Sequence, residues 1–314
     1  MWYNTVFSIL IILLAPGCQK SFISKTGFWM GTVVDITIQA EDRNILPQIE
    51  GHIKVMEELI NKVTTSVNNL KPGEQSDISK LGVDLLRRGE YYKSISDNRF
   101  DISVYTLSSG YGFPEGPYTL PDKPFVTEAL KKIARNRFVF SGNLVSKTED
   151  IKIDMGAYAK GFIVDNVSSF ILSMGIKNFI FNAGGDLFAS GDKNGKPWKI
   201  AIRHPDESQH ILSVIGLMNM AVATSGNYER FFEYQGRRYI HIFDAKTGDN
   251  ANNYKSVSVI AKNAEVADGF ATLFFLMSIS EIERLCQKEN LPTLIFTLDN
   301  RTLKMCGWEN FEIH

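Results

Sequence analysis

The stretch from Ile151 to Gly175, IKIDMGAYAKGFIVDNVSSFILSMG, holds three kinds of local pattern in one short run. Its first three residues, Ile151 to Ile153, place two apolar side chains on one face and predict a short strand. A glycine- and alanine-rich turn follows. From Ala159 onward the apolar residues recur at helical spacing, and Gly175 is a typical residue for ending a helix. The stretch therefore predicts a strand, a turn and a helix in succession, the helical positions being Ile163, Val167, Phe170, Ile171 and Met174.

Strands and helices are predicted on both sides of this unit, without the strict alternation that a parallel sheet requires. The sequence therefore predicts an α+β fold of mixed, largely antiparallel sheets packed with helices. The predicted strands are 32–38, 179–182, 198–202, 211–217, 220–224, 239–243, 256–261 and 294–298, with a final short strand near the end. The predicted helices are 45–63, 78–95, 126–133, 264–277 and 281–288, and 68–77 is predicted to be a loop.

The composition argues against several classes of protein. The 314 residues are 44% hydrophobic and 22% charged, as in an ordinary globular protein, and the formal net charge is −1. Nucleic-acid binders usually carry a basic stripe or a high pI, so nucleic acid is not an expected partner. Five His and three Cys are too few for a cysteine-rich zinc module or a disulfide scaffold. Cys286 and Cys306 either pair or remain separate buried thiols, and their spacing does not decide between the two.

The first eighteen residues differ from the rest of the chain. Val6 to Leu14 is almost entirely apolar and is followed by Ala15-Pro-Gly-Cys18. About 20 apolar residues are needed to span a bilayer, so this run has the length of a signal-peptide core instead. We expect a signal peptide over 1–18 with a lipidated Cys18, a tether over 19–29 and one domain over 30–314. A plain cleaved signal or an uncleaved anchor are the alternatives.

The segment Asp154-Met-Gly-Ala-Tyr-Ala-Lys-Gly161 suits a phosphate. Small residues let a ligand approach the backbone, and the N-terminus of a helix favours negative charge. Lys160 is placed to neutralise a phosphate oxygen. The alternative is an ordinary tight turn before a helix.

Two further segments carry candidate chemistry. Asp268 and Thr272 are four residues apart on a predicted helix, so their oxygens share one face, and oxygen ligands are those that Mg²⁺ prefers. Thr272 bonding back to its own helix is the alternative. His241, at the edge of a predicted strand, is a candidate base, although a lone histidine is more often structural.

Taken in order, these segments resemble the ApbE family of FAD:protein FMN transferases. Each motif is weak alone, and the specificity comes from eight of them in the right order. The motifs are Met30-Gly-Thr32, Phe100-Asp-Ile-Ser-Val104, Asp154 to Gly161, Asn182-Ala-Gly-Gly-Asp186, Ala223-Thr-Ser-Gly-Asn-Tyr-Glu-Arg230, His241-Ile-Phe-Asp244, Thr247-Gly248 and Ala267-Asp-Gly-Phe-Ala-Thr272.

The resemblance implies a T-fold-related architecture and a Mg²⁺-dependent phosphoryl transfer. FAD is split at its pyrophosphate, FMN passes to a Thr or Ser hydroxyl of an exported acceptor flavoprotein, and AMP leaves. Typical acceptors are subunits of Na⁺-translocating NADH:quinone oxidoreductase and of Rnf-type complexes. The enzyme is expected in the cell envelope, held to a membrane by the lipid on Cys18 and facing the periplasm.

The resemblance also assigns residues. It implies Mg²⁺ ligation by the side chains of Asp268 and Thr272 and the carbonyl of Ala157. His241 is the implied proton acceptor and Lys160 the implied phosphate partner. The residues implied to contact FAD are Met30, Val67, Phe100, Asp101, Asp154, Lys160, Ser225, His241 and Ile242.

The sequence departs from the family pattern at one position that bears on the reaction. Val67 lies nearest to the place where family members commonly carry a tyrosine beside the flavin ring. Members without that tyrosine can favour hydrolysis of FAD to FMN and AMP. An FAD pyrophosphatase and a non-catalytic flavin-binding protein therefore stand as alternatives to the transferase.

Overall fold

The computed structural model of the protein describes residues 20–207 and 209–313. The predicted signal peptide and the lipidated Cys18 lie outside these residues. Within them, no helix is both long enough and apolar enough to cross a membrane.

Fifteen strands and seven α-helices make up the described chain. The strands are β1 Phe22–Trp29, β2 Thr32–Gln39, β3 Gln75–Asp77, β4 Phe138–Ser141, β5 Leu144–Lys147, β6 Phe179–Ala183, β7 Asp186–Ser190, β8 Trp198–Arg203, β9 Ile211–Leu217, β10 Met220–Gly226, β11 Phe231–Tyr234, β12 Arg237–Ile240, β13 Tyr254–Ala261, β14 Thr293–Thr297 and β15 Thr302–Met305. The helices are α1 Leu46–Asn69, α2 Ser79–Ile95, α3 Tyr105–Ser108, α4 Lys123–Arg135, α5 Ala159–Ser173, α6 Ala264–Phe275 and α7 Ile279–Glu289.

Eight strands form the central sheet in the order β1-β2-β6-β7-β10-β13-β14-β15, and every neighbouring pair is antiparallel. Helices α5 and α6 pack against β6, β7, β10 and β13 on one face, and α1 packs on α5. The ribbon of β8 and β9 covers the other face, where Trp198 and Trp308 are buried. The predicted α+β class, with largely antiparallel sheets packed with helices, is confirmed.

Helices α5 and α6 approach unusually closely, and this contact organises the interior. A Cβ atom on Gly161 would lie 2.3 Å from the Ala264 carbonyl oxygen, so only glycine fits there. The Asp165 carboxylate of α5 accepts the backbone N–H groups of Ala264 (2.7 Å) and Glu265 (2.9 Å). It thereby satisfies the first donors of α6, as a capping residue does.

The predicted tether over 19–29 is wrong for Phe22–Trp29, which is strand β1 at the edge of the central sheet. It pairs with β2 over its whole length, from Phe22–Gln39 to Trp29–Thr32. An edge strand has a neighbouring strand on one side only, and β1 exposes Ser24, Lys25 and Thr26 in succession, so both of its faces are partly open to solvent. Its composition therefore looked like that of a surface linker.

The predicted strand over 151–153 is also wrong, although Ile151 and Ile153 are buried. Its backbone pairs with side chains instead of a neighbouring strand. The Asn68 side chain accepts from the Ile153 N–H (2.7 Å) and donates to the Ile153 carbonyl (3.2 Å). Thr106 does the same for Lys152. A local apolar pattern does not distinguish these two ways of satisfying a backbone.

The remaining predicted elements are present within a few residues. Exceptions are the loop over 68–77, whose ends belong to α1 and β3, and the strand over 239–243, which stops at Ile240. Strands β3, β4, β5, β7 and β11 were not predicted. Cys286 of α7 and Cys306 form a disulfide with a Cα–Cα distance of 6.1 Å, which resolves the open question of their pairing.

Candidate functional site

One cavity of about 460 Å³ opens beside the N-terminal end of α5 and along the face of α6 that carries Asp268 and Thr272. This volume lies within the range of small-molecule sites. Its wall draws on α1, the segments around 100–105 and 154–163, β10, and the chain before β11 and after β12. All predicted site residues except one line it, namely Met30, Phe100, Asp101, Asp154, Ala157, Lys160, Ser225, His241, Ile242, Asp268 and Thr272.

Val67 is the exception, and the prediction that it contacts the ligand is corrected. It is fully buried in the core and does not line the cavity. Val63 and Val67 lie on the core-facing stripe of α1, whereas Glu57, Asn61 and Thr64 lie on the stripe that faces the cavity. Helix α1 therefore contributes no aromatic side chain to the site.

Lys160, Asp186 and Asp268 form a charged corner at the base of the cavity. The Lys160 Nζ lies 2.7 Å from Asp186 Oδ2 and 3.5 Å from Asp268 Oδ1. Burial alone lowers the pKa of Lys160, but the two carboxylates outweigh it and raise that pKa above its usual value. Lys160 therefore carries its positive charge at all ordinary pH values.

Asp268 is held by helix geometry as well as by charge. Its Oδ2 accepts the Gly161 N–H at 2.9 Å, a contact that the close approach of α5 and α6 makes possible. Burial and the nearby Asp186 raise the pKa of Asp268 well above its usual value, while Lys160 and the Gly161 N–H act in the opposite direction. A further cation beside this carboxylate would favour its ionised form.

A cluster of neutral oxygens adjoins the charged corner. Thr272 Oγ1 donates to the Ala157 carbonyl (3.3 Å) and lies 3.0 Å from Ser225 Oγ. The Thr272 hydroxyl is thus directed at the glycine-rich turn and β10, not back onto its own helix. A carboxylate, a hydroxyl and a carbonyl are hard ligands that fit Mg²⁺. The described residues include no group of three or more His, Cys, Asp or Glu side chains arranged for a metal.

His241 follows β12 and is tied to the chain on the other side of that hairpin. Its backbone N–H donates to the Arg230 carbonyl (3.1 Å), and its Nδ1 lies 3.3 Å from the same oxygen. A carbonyl only accepts, so Nδ1 carries the hydrogen and Nε2 keeps its lone pair. Burial, and then the charge of Arg230, lower the pKa of His241 to about 4. The ring is therefore neutral near pH 7.

Three predicted residues shape the opposite wall. Asp101 is buried, its Oδ2 lies 2.7 Å from the Lys93 Nζ, and its Oδ1 accepts the Ser103 N–H. Asp154 Oδ1 accepts the Gly156 N–H at 2.9 Å, which fixes the glycine-rich turn. The Met30 N–H donates to Glu57 Oε1 at 3.0 Å.

The structure adds residues at the site that the sequence did not single out, one of them behind Lys160 and two of them in the cavity wall. Asp186 stands in a predicted turn, but nothing local marks it as the partner of Lys160. Glu229 and Arg230 line the wall next to His241. Burial raises the pKa of Glu229 to about 7, against the lowering effect of Lys160. The run Tyr228-Glu-Arg230 was the available signal, since it is polar sequence directly after an apolar strand.

Comparison with known proteins agrees with this geometry. The sequence profile described as the ApbE family matches residues 30–295. A protein of Vibrio cholerae named FAD:protein FMN transferase is 28% identical, with 98% of each chain covered. One of the same name from Haemophilus influenzae is 26% identical, covering 94% of this chain and 93% of the relative.

Solved structures show the same fold. The crystal structure of the ApbE protein of Thermotoga maritima is 27% identical and superposes with a TM-score of 0.86 over 94% of this chain and 100% of that chain. The flavin transferase ApbE from Vibrio cholerae has a TM-score of 0.81. These relatives confirm the prediction of an enzyme of the transferase class. With its profile matched over most of its length and its cavity built from the matching segments, the chain belongs to the ApbE family.

Proposed function

We propose that the protein is a Mg²⁺-dependent FAD:protein FMN transferase. One observation carries the proposal. A single cavity joins a permanently charged lysine, a set of hard oxygens and a neutral histidine. Splitting a pyrophosphate needs charge neutralisation and a proton acceptor, and these groups supply both. The names of the relatives support the same substrate.

Each component has an assigned role. Lys160, at the N-terminal end of α5, binds the pyrophosphate of FAD together with the backbone of the glycine-rich turn. Asp268, Thr272 and the Ala157 carbonyl hold the metal ion. When bound, Mg²⁺ neutralises negative charge that develops on the phosphate oxygens. Met30, Phe100, Asp101 and Asp154 orient the rest of FAD along the wall.

The proposed reaction exchanges one phosphorus–oxygen bond for another. The oxygen of an acceptor Thr or Ser hydroxyl forms a bond to the phosphorus of the FMN half. The bond from that phosphorus to the bridging oxygen breaks, and AMP leaves with the bridging oxygen and its electron pair. His241 Nε2 takes the hydroxyl proton, which its neutral state permits.

An exported location is part of the proposal. The apolar N-terminal segment supports it, and so does the disulfide between Cys286 and Cys306, because disulfides persist in oxidising compartments. We assign the protein to the cell envelope, anchored through Cys18 and facing the periplasm. Its acceptors are then exported flavoprotein subunits of the Na⁺-translocating NADH:quinone oxidoreductase or Rnf type.

A second candidate is an FAD pyrophosphatase, in which water replaces the acceptor hydroxyl. It is favoured by the cavity-facing stripe of α1, where Glu57, Ile60, Asn61 and Thr64 offer no aromatic surface for a flavin. A weakly held flavin admits water to the reacting phosphorus.

The test uses the processed protein, FAD, MgCl₂ and purified acceptor domains of both flavoprotein types. Transfer gives a fluorescent acceptor band and one AMP per FMN attached. An acceptor whose target threonine is changed to alanine must stay dark, and EDTA must stop the reaction until Mg²⁺ is restored. AMP without a labelled band establishes the pyrophosphatase. FAD binding without AMP establishes a flavin-binding protein.

A further inference from the structure

The ribbon of β11 and β12 projects from the cavity and is anchored at both ends in its wall. Glu229 and Arg230 precede β11, and His241 and Ile242 follow β12, and all four line the cavity. Within the described residues these two strands pair only with each other. A two-stranded ribbon with no third strand leaves both edges open unless other groups cover them.

The outer edge of β12 is covered at Ile240, while the outward N–H and C=O of Arg238 have no hydrogen-bond partner among the described residues. Ile240 donates its N–H to Asn250 Oδ1 (2.9 Å) and accepts from Asn250 Nδ2 (2.5 Å). The side chain of Asn250 therefore occupies the place that a neighbouring strand would take.

The outer edge of β11 is open. His241 bonds to Arg230 across the ribbon, and hydrogen-bonded pairs alternate along an antiparallel ladder. The next bonded pairs are therefore Phe232 with Tyr239 and Tyr234 with Arg237. The N–H and C=O groups of Phe231 and Glu233 point away from β12, and they have no hydrogen-bond partner among residues 20–207 and 209–313.

The ribbon is nevertheless firmly placed. One of its faces lies on the loop around Tyr118 through three rings in parallel stack. The centroids of Tyr118 and Phe232 are 5.0 Å apart with planes 10° from parallel, and those of Phe232 and Tyr239 are 5.1 Å apart at 12°. Phe113 packs against Phe232 from below at 5.7 Å. An open edge on an anchored ribbon is preorganised for pairing.

We infer that the free edge of β11 is where the acceptor polypeptide docks, as an extended segment that adds a strand beside Phe231 and Glu233. Edge pairing of this kind takes its affinity from main-chain hydrogen bonds. A segment aligned there runs past Arg230 into the cavity, where its hydroxyl faces His241. The inference rests on the proposed transferase and names the surface by which that enzyme holds its protein substrate.

Another open edge, that of β1, also leads to the cavity through Met30. It carries the large exposed side chain of Phe28, which is 70% accessible. The β11 edge is distinguished by a direct backbone bond from its neighbouring residue Arg230 to His241, the proposed proton acceptor. Docking at the β11 edge and docking at the β1 edge therefore predict different effects of substitutions in these two strands.

The test is the substitution Glu233→Pro, which removes the outward N–H and leaves the β11–β12 ladder intact. Proline is tolerated on sheet edges where the missing N–H would face solvent. The matched control Glu233→Ala loses the same side chain and its ion pair with Arg238 but keeps the N–H. Phe28→Ala is the control for the β1 edge.

We expect Glu233→Pro to lower kcat/KM for the acceptor domain by about 5- to 10-fold, since each main-chain hydrogen bond contributes modestly. Glu233→Ala and Phe28→Ala are expected to keep the wild-type value. Binding of FAD alone, followed by its fluorescence, is expected to be equal in all four proteins and reports that Glu233→Pro is folded.

The docking site and the transferase activity are contradicted by different results. If the wild type labels acceptor and Glu233→Pro labels it equally well, or if only Phe28→Ala is impaired, the β11 edge is not the docking site. If the wild type labels no acceptor domain of either type, the proposed transferase itself is contradicted.

Discussion

The charged corner and the β11–β12 ribbon meet at the same cavity but are built on opposite principles. In the corner, a half-buried lysine lies between two buried carboxylates, and each of the three side chains has a charged partner. In the ribbon, stacked aromatic rings provide the packing, and two backbone positions of β11 have no hydrogen-bond partner in the part of the chain that the structure describes. The contrast teaches that one wall is organised to bind charge and the other to bind polypeptide.

The largest expected effect tests the charged corner. Asp268→Asn removes a carboxylate beside Lys160 while keeping the size of the side chain and an acceptor for the Gly161 N–H. We expect AMP release from FAD to fall by about 10³-fold, the upper end of what one transition-state group contributes. Release is measured by chromatography, with and without acceptor. A variant that releases AMP at the wild-type rate would refute the metal assignment.

The second test concerns the junction of the two regions, His241. His241→Gln keeps a polar side chain but cannot take a proton, and we expect acceptor labelling to fall by about 10²-fold. Retained labelling would show that the proton goes elsewhere.

The pH profile of the wild type sharpens this test. The base must be neutral, and the pKa of His241 is lowered to about 4, so the contribution of His241 to transfer is lost only as the pH falls through about 4. Between pH 7 and pH 5 we expect the histidine-dependent rate to fall by only about 10%, whereas a histidine with the ordinary pKa would lose about 95%. An acid limb near pH 6.5 that persists in Glu229→Gln would contradict the buried environment of His241, because the pKa of Glu229 is itself raised to about 7.

The third test measures the packing of the corner. A Cβ on Gly161 would meet the Ala264 carbonyl at 2.3 Å, and backbone there has little room to move. We expect Gly161→Ala to lower the free energy of unfolding by about 2 kcal/mol, as overpacking does. Gly51→Ala in α1 is the control, because a Cβ there meets nothing within 4 Å. It should stabilise by up to about 1 kcal/mol through helix propensity. Urea denaturation measures both variants. Equal unfolding midpoints for Gly161→Ala and Gly51→Ala would contradict a close contact between α5 and α6 at Gly161.

The smallest expected effect tests the anchoring of the ribbon. Phe232→Leu removes the central ring of the stack, and stacked pairs contribute about 1 kcal/mol beyond their burial. We expect amide hydrogens of β11 and β12 to exchange about 5-fold faster while those of α6 are unchanged. Tyr234→Leu, on the same ribbon and exposed, is the control. Unchanged exchange in Phe232→Leu would mean that the stack does not hold the ribbon.

Two residues of the corner were predictable from sequence because each has a local signal of its own. Asp268 and Thr272 share a helix face by their spacing, and Lys160 follows a glycine-rich turn, so local periodicity was sufficient. The partner of Lys160 was not predictable, since Asp186 arrives from a different strand of the central sheet. Val67 shows the converse error. A sequence position near a family motif does not specify which stripe of α1 it occupies, and helical geometry places it in the core.

The ribbon and the edges were poorly predictable for a physical reason. β1 and β11 each bury one face at most, so they lack the apolar alternation that marks a strand covered on one side by the core. Segment 151–153 shows the opposite error, a strand predicted where none is present. Asn68 and Thr106 supply the hydrogen bonds that a neighbouring strand usually provides. The local pattern of apolar residues indicates which side chains are buried. It does not indicate which group forms hydrogen bonds with the backbone.

The capping of α6 by Asp165 has a consequence for how the enzyme comes into being. Ala264 and Glu265 depend on a carboxylate about a hundred positions earlier in the chain, so Lys160 and Asp268 reach their places in the same event. Contacts of such long sequence separation form slowly, because a large loop must close first. A chain still emerging from synthesis contains the glycine-rich turn but no completed cavity. The enzyme therefore gains its substrate site only when nearly all of its sequence is folded, and a truncated copy ending before α6 has no half-active form.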